Sequence, residues 1–550
     1  MHPILLLVCL VQHPFGTLEF GGELSAVQSA MDVTYLDLSL TIDPERHWLE
    51  GWAELEILLD DPSVDRVELD LLDAFSISAV TLDGRETRYE RAGHKLFIPL
   101  PRDRGDRVRT HIAYQGHPLE AKRPPWEGGF NWSTTESGQP WVGLSCQGEG
   151  GKVWYPSKDH PSDKIDRARL RITLPEPLYC AANGLLQSIE AAREGWRTFD
   201  WRTDYPISVY NLTVNIADYA ILERTYTGEN GDMPVLLYVL KESQAADRQD
   251  GDPRDYQQKQ ADLLDMTLDY LAFYAKHFGE YPFIGEKFAL AHTDYLGMEH
   301  QTINSYGNHF RVEDGYDWLL LHEMGHEWWG NKVSVTDWRD FWIHEGICTY
   351  ATGMYLEEKQ GFAAALAFFQ DLAGEVTHRR PLAGKEPATA SQAYQADVYN
   401  KGALVLHALR FLLGKRLVER ILEAFANDPR HTYLKTVTSA DFIAQANQIA
   451  GEPLEWFFNP YLYESEPPLL FARREGESLH LRWQSASFTM PVEVRIGGEG
   501  GSRYRRIAMV GGEGSLDLPA GVAVDLDPRE WVMKRVKWGE AAESTSTPGD

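Results

Sequence analysis

Cysteine is scarce: Cys9, Cys146, Cys180 and Cys348 are the four in a chain of 550 residues. None stands in a C-x-x-C spacing, so neither a thiolate metal site nor a disulfide framework is indicated. Basic residues are also few, 53 Lys and Arg against 82 Asp and Glu, for a formal net charge of −29. That balance excludes nucleic acid and anionic membranes as partners, since both demand clustered Lys and Arg. Long apolar runs are missing as well. The strongest, residues 4–11 (ILLLVCLV), is too short to span a bilayer, so no transmembrane segment is expected. It fits the apolar region of a secretory signal, and export is the expectation, although no Lys or Arg precedes it and no A-x-A site follows. If Met31 is the true start, the protein is cytoplasmic. Internal repeats are absent.

What is present is ordinary for a globular protein, 43% hydrophobic and 25% charged. A chain this long exceeds a single core and implies two to four domains. From Thr34, Leu36, Leu38, Leu40 and Ile42 alternate with Asp37, Ser39 and Thr41. Similar runs recur at Ala53-Leu55-Ile57, Val67-Leu69-Leu71 and Leu170-Ile172-Leu174. Period-two alternation broken by Gly, Pro and Asp predicts half-buried antiparallel strands. Over residues 254–274 the period changes, with Ala261, Leu264, Leu268 and Leu271 at helical spacing. A run at Phe288-Ala289-Leu290-Ala291 predicts a strand, and helical patterning returns at 364–372 and 399–413. Alternation resumes from about Pro467, where Gly497-Gly498, Gly500-Gly501 and Gly511-Gly512 predict hairpin turns.

The chemistry concentrates between residues 321 and 350. His322-Glu323-Met324-Gly325-His326 is an H-E-x-x-H motif. Residues four apart share a helix face, so the two imidazoles can aim at one point. Zinc accepts such ligands at about 2.0–2.1 Å and, in catalytic sites, takes three protein ligands with one position left for water. Glu323 projects beside them as a base for that water. Alone the motif is only suggestive. Eighteen residues separate His326 from Glu345, however, which stands in a second helix-like apolar stretch with Phe341, Trp342, Ile343, Ile347 and Tyr350. A returning helix brings Glu345 to the histidines as third ligand. Trp328, Trp329, Trp338, Phe341 and Trp342 are read as packing around the site, and Cys348 as a small buried apolar residue.

This arrangement resembles the gluzincin zinc aminopeptidases of the aminopeptidase N and leukotriene hydrolase type. The family has Asn-Glu-Gly where this chain has His344-Glu345-Gly346, and usually Gln where it has Glu327. Neither departure removes a ligand; both alter the groups that orient the ligands. Leu296-Gly297-Met298-Glu299-His300 is an altered form of the family's Gly-Ala-Met-Glu-Asn. The resemblance implies that Glu299 binds the substrate's α-ammonium, while the backbone at Gly297 and Met298 pairs with the peptide as an added strand. Gln147 and Glu149 match a Gln-x-Glu that reaches the same amine, ahead of a partly matching Pro156-Ser157-Lys158-Asp159-His160-Pro161. Tyr399, in Tyr399-Asn400-Lys401-Gly402-Ala403, matches a Tyr that donates to the oxyanion; Tyr394 is its nearby competitor.

The fold class expected is multidomain α+β. Residues 1–30 form a leader or signal segment, 31–223 an N-terminal β-sandwich, and 224–466 a thermolysin-like mixed α/β zinc peptidase domain. A small C-terminal β-sandwich covers 467–537, and 538–550 form a disordered tail. The expected activity is hydrolysis of the first peptide bond of peptides with a free N-terminus, using one Zn2+. An endopeptidase, a leukotriene-hydrolase-like epoxide hydrolase and a non-catalytic peptide-binding relative are the alternatives.

Overall fold

The computed structural model describes residues 18–249, 251–497, 502–519 and 521–539. The signal-like run at 4–11, the tail at 540–550 and the Gly pairs at 497–498 and 500–501 lie wholly or partly outside the described residues.

The multidomain α+β architecture is as expected. Alternating burial along Met31–Asp43, with Leu36, Leu38, Leu40 and Ile42 shut from solvent, drives the N-terminal core. This strand pairs antiparallel with Trp48–Leu59 in an eight-stranded sheet. Its other neighbour, Arg167–Pro175, runs parallel to it, which departs from the all-antiparallel expectation. Alternation reports which face is buried and not the direction of the partner, so sequence patterning is blind to that difference. A second sheet joins Tyr179–Ala182, Val214–Ala217, Pro140–Ser145 and Gly129–Thr134. The strand Pro140–Ser145 runs directly into the loop that bears Gln147 and Glu149.

Three expected boundaries change. Residues 18–30 are not a detached leader: Phe20 is fully buried, with its ring 5.4 Å from Trp338, and Ser25 caps the short helix Ala26–Ser29. A four-residue helix and one buried ring carry no periodic signal, so the sequence shows nothing regular before Met31. The border at 223/224 cuts a strand. Tyr219–Gly228 pairs with Gly231–Leu240, which lies beside Phe288–His292, so this hairpin belongs to the catalytic sheet. Its alternation is indistinguishable in sequence from that of the preceding sandwich.

The catalytic sheet continues from Phe288–His292 through Asn304–Tyr306 to the edge strand Gly297–Met298, in the register Gly297 to Tyr306 and Met298 to Ser305. Tyr256–Phe278, capped by Asp255, is the first long helix packed against this region. The His322 helix, Trp318–Gly325, is capped by Asp317, whose carboxylate accepts from Leu320 N. The Glu345 helix spans Trp342–Gln360 and the Gly402 helix Asn400–Leu413. These last two cross in close contact because Gly346 and Gly402 face each other: a Cβ on either would lie 2.8 Å from the other's Cα. Gly346 follows Glu345 in the chain, and Gly402 lies one turn after Tyr399. The glycine pair therefore sets the distance between those two side chains. The C-terminal region forms a four-stranded and a three-stranded sheet, and Trp538 ends a strand (Arg535–Trp538) that crosses the expected 537/538 border. Among the described residues no helix is long and apolar enough to cross a membrane.

Gly402→Ala is expected to push the two helices apart and cost about 1–3 kcal/mol, the usual range for overpacking. Thermal or denaturant unfolding checks it, with Gly374→Ala, at an exposed helical glycine where a Cβ meets nothing within 4 Å, as the control for propensity alone.

Candidate metal centre

The H-E-x-x-H helix is short and ends at His326, which caps it in a still-helical conformation (φ −66°, ψ −18°). That geometry keeps both imidazoles on one face. A tight turn follows, with Trp328 and Trp329 buried, and the chain returns through Ser334–Val335 to the Glu345 helix. His322 Nε2 and His326 Nε2 lie 3.2 Å apart. Glu345 Oε2 stands 3.2 Å from the first and 3.4 Å from the second. A tetrahedral ion at about 2.0–2.1 Å from each ligand requires ligand separations of about 3.3–3.4 Å. The three donor atoms thus fit such an ion, and two imidazole lone pairs at this distance repel each other without a cation between them.

The surroundings fix the donor orientation. His326 Nδ1–H donates to Trp329 O at 2.9 Å, leaving the Nε2 lone pair for the centre. Cys348 Sγ lies 3.5 Å from the same Nδ1. His322 Nδ1 has no partner among the described residues. Burial drives the Glu345 carboxyl upward, but both imidazoles outweigh it and hold the group low.

Glu323 is buried beside the donors, and Gly297 makes room for it: a Cβ there would lie 2.8 Å from Glu323 Oε1. Burial pushes Glu323 well above the ordinary carboxyl range; Glu299 and Glu345 add to this, and His326 opposes it. Tyr399 is buried with its ring 5.8 Å from that of His322, and its hydroxyl hydrogen-bonds that of Tyr394 at 2.9 Å.

Gln147 and Glu299 are brought together across the two domains. Glu299 Oε1 accepts from Gln147 Nε2 and, at 3.1 Å, from Tyr210 OH. Burial lifts the Glu299 carboxyl to about 7, with Glu345 adding and His326 and the Tyr210 hydroxyl opposing. Glu149 takes a different partner: its Oε1 accepts from Gly128 N at 2.9 Å, while Oε2 is buried and unpaired among the described residues. Burial raises it to about 7. Their loop turns at Gly150 (φ +84°), where a side chain would run into the Asp159 carboxylate. Asp159 in turn forms a buried ion pair with Lys152 at 2.8 Å.

Sequence reasoning missed the residues that steady this arrangement. Asn331 Nδ2 donates to Glu299 O at 3.0 Å and Asn331 Oδ1 accepts from Asn211 at 2.6 Å. Tyr210 also escaped notice, because nothing marks one tyrosine among 25 until the fold brings it across. The three departures from the family pattern have explicit partners. Glu327 accepts from Thr302 N, Asn304 Nδ2 and Tyr281 OH at 3.0–3.2 Å. His344 Nε2 accepts from Val335 N at 2.9 Å, and His300 Nδ1 is 3.2 Å from Ser305 Oγ.

The β-sandwich, the edge strand and the H-E-x-x-H helix with a returning glutamate resemble the arrangement of the gluzincin metallopeptidases. Comparison with known proteins agrees: residues 264–461 match the profile of the peptidase family M1 domain. Among curated relatives, probable aminopeptidase 1 of Saccharolobus solfataricus is 20% identical over 451 residues, covering 78% of this chain and 53% of the relative. Aminopeptidase N of Haemophilus influenzae is 21% identical over 453 residues, covering 76% and 48%. The chain thus spans about half the length of these relatives. A solved two-domain M1 zinc metallopeptidase mutant bound to L-tryptophan superposes with TM-score 0.67 at 23% identity, covering 81% of this chain and 98% of the other. An M1 zinc metallopeptidase mutant from Deinococcus radiodurans, bound to a Tyr-Ser-Ala substrate, gives 0.66 at 23%, covering 80% and 96%. The resemblance carried by the motifs therefore extends to the fold.

Glu345→Gln is expected to weaken Zn2+ binding at this centre by more than about 100-fold, the upper end of what loss of an outer hydrogen-bonding partner costs. Competition of the purified variant against a chromogenic chelator measures it.

Proposed function

We propose that the protein is a zinc-dependent aminopeptidase that removes the first residue of peptides with a free N-terminus. One observation carries the reading. Glu299, Glu323 and Glu345 are all buried, and among the described residues none is ion-paired with Lys or Arg. Buried carboxylates are costly unless cations compensate them. The reading supplies two: a divalent ion on His322, His326 and Glu345, and a substrate ammonium on Glu299. The names of the curated relatives, and the peptide bound by the Deinococcus structure, support it.

When bound, zinc supplies Lewis acidity, lowering the pKa of a water and polarising the scissile carbonyl. Glu323 takes that water's proton as it attacks and returns it to the leaving amine. Tyr399 donates its hydroxyl hydrogen to the developing oxyanion, and Tyr394 orients that hydroxyl. Glu299 pairs with the α-ammonium, assisted by Gln147 and by the unpaired oxygen of Glu149. This anchor sets the cleaved bond one residue from the terminus and leaves an internal peptide nothing to neutralise the carboxylate. Backbone groups of Gly297 and Met298, on the sheet edge, pair with the peptide main chain.

Aminoacyl anilides with and without a chelator, against N-acetylated controls, test the proposal. Turnover is expected only with metal and a free amine, and cleavage of the N-acetylated controls would refute it. Glu323→Gln is expected to retain zinc and lose about 10²–10⁴ in kcat. Glu299→Ala is expected to raise KM chiefly for free-amine substrates. An unchanged rate in Glu323→Gln removes the assigned base.

A further inference from the structure

A second set of donors converges away from this centre. Asp247 ends the turn Ala245–Asp247, His292 ends the strand Phe288–His292, and His309 lies in the loop before the His322 helix. One donor atom from each, a carboxylate oxygen and two imidazole nitrogens, lies within 4.8 Å of the others. His309 Nδ1 is 2.8 Å and His292 Nε2 3.4 Å from Asp247 Oδ1. A plain hydrogen bond accounts for His309, but it leaves His292 unexplained. That imidazole is fully buried, and neither of its nitrogens makes a hydrogen bond among the described residues. Its Nε2 faces the Asp247 carboxylate at 3.4 Å, too long for a good hydrogen bond, and its Nδ1 has no partner among the described residues, a costly state in a dry interior unless a ligand is met.

The rest of the cluster is built around that ring. Asp247 Oδ2 accepts from Gln244 N at 2.8 Å, and Lys259 Nζ donates to Asp247 O at 2.7 Å, so the carboxylate is fixed. His292 O accepts from Trp141 Nε1 at 2.9 Å and Tyr219 OH at 2.8 Å. His309 and Phe310 are consecutive non-glycine residues in the left-handed region (φ +53° and +59°), which places the His309 ring against Asp247. The side chains of Asp247 and His292 are closed off, whereas that of His309 is 20% exposed and opens the cluster to solvent.

We propose that Asp247, His292 and His309 form a second divalent-cation site, distinct from the His322–His326–Glu345 centre. Two imidazoles and one carboxylate select a borderline first-row ion such as Zn2+, Co2+ or Ni2+ over Mg2+ or Ca2+. The bound ion joins three separate segments. One of these reaches the catalytic helix: Asn308, beside His309, donates to the helix-capping Asp317 at 2.9 Å. Its role is to stiffen the platform between the edge strand and that helix.

The test is independent of peptidase activity. The full chain, stripped of metal, is titrated with Co2+ and followed by visible absorption and by metal analysis after desalting. About two equivalents are expected, about one in His322→Ala/His326→Ala, and none when His309→Ala is added to that double variant. His309→Ala alone is expected to bind about one equivalent, retain cooperative unfolding and lose part of the thermal stabilisation that metal confers. Because His309 is at the rim, His309→Gln serves as the milder variant should alanine not fold. Saturation of the parent at one equivalent, or of the double variant at none, overturns the proposal. So does a cobalt equivalent in the double variant that survives both His309 substitutions.

Discussion

Everything at the centre depends on three buried donor atoms held about a tetrahedral edge apart. Such an arrangement is unstable as an empty box. It persists because opposing elements are locked before the side chains meet: the H-E-x-x-H helix by its Asp317 cap, and the Glu345 helix by the glycine contact with its neighbour. The hydrogen bond from His326 to Trp329 O then settles which nitrogen faces inward. Fold stability and metal affinity are coupled in this design, since the same crossing that packs the core sets the ligand spacing.

The charge pattern follows from the same constraint. Carboxylates crowd the centre, and burial pushes Glu149 and Glu299 toward neutral pH and Glu327 to about 8. The last case is instructive. Where the family usually has Gln, burial raises the proton affinity of this glutamate, and a side chain of nearly the same shape fills the same place. It also occupies the polar ring of Thr302, Asn304 and Tyr281. The substitution is chemically mild for that reason, and electrostatics explain it better than the change in residue name suggests.

Sequence made much of this legible, because its chemistry is local and periodic. His322, Glu323 and His326 share one helix face by spacing alone, and Glu345 stands in the next apolar helix. Gln147, Glu149, Glu299 and Tyr399 required a family pattern, since an isolated Glu or Tyr carries no positional signal. Tyr210, Asn331 and the glycine crossing were not readable, because each matters only through partners far along the chain (Asn331 and Glu299 are 32 apart, Asn211 and Asn331 120). Residues 18–30 were misread for the related reason that one buried ring such as Phe20 leaves no period. The parallel pairing of Met31–Asp43 with Arg167–Pro175 was hidden because alternation records faces, never directions.

The contacts around Glu299 bridge the β-sandwich region and the helical region. The carboxylate rides on the edge strand of the helical unit, while Gln147 and Tyr210 reach it from the β-sandwich. The proposed anchor for the incoming terminus is thus assembled from both regions, whereas the three donors His322, His326 and Glu345 all come from the helical one. On the proposed reading, capture and cleavage draw on different stretches of the chain, and a change at Gln147 or Tyr210 bears first on capture.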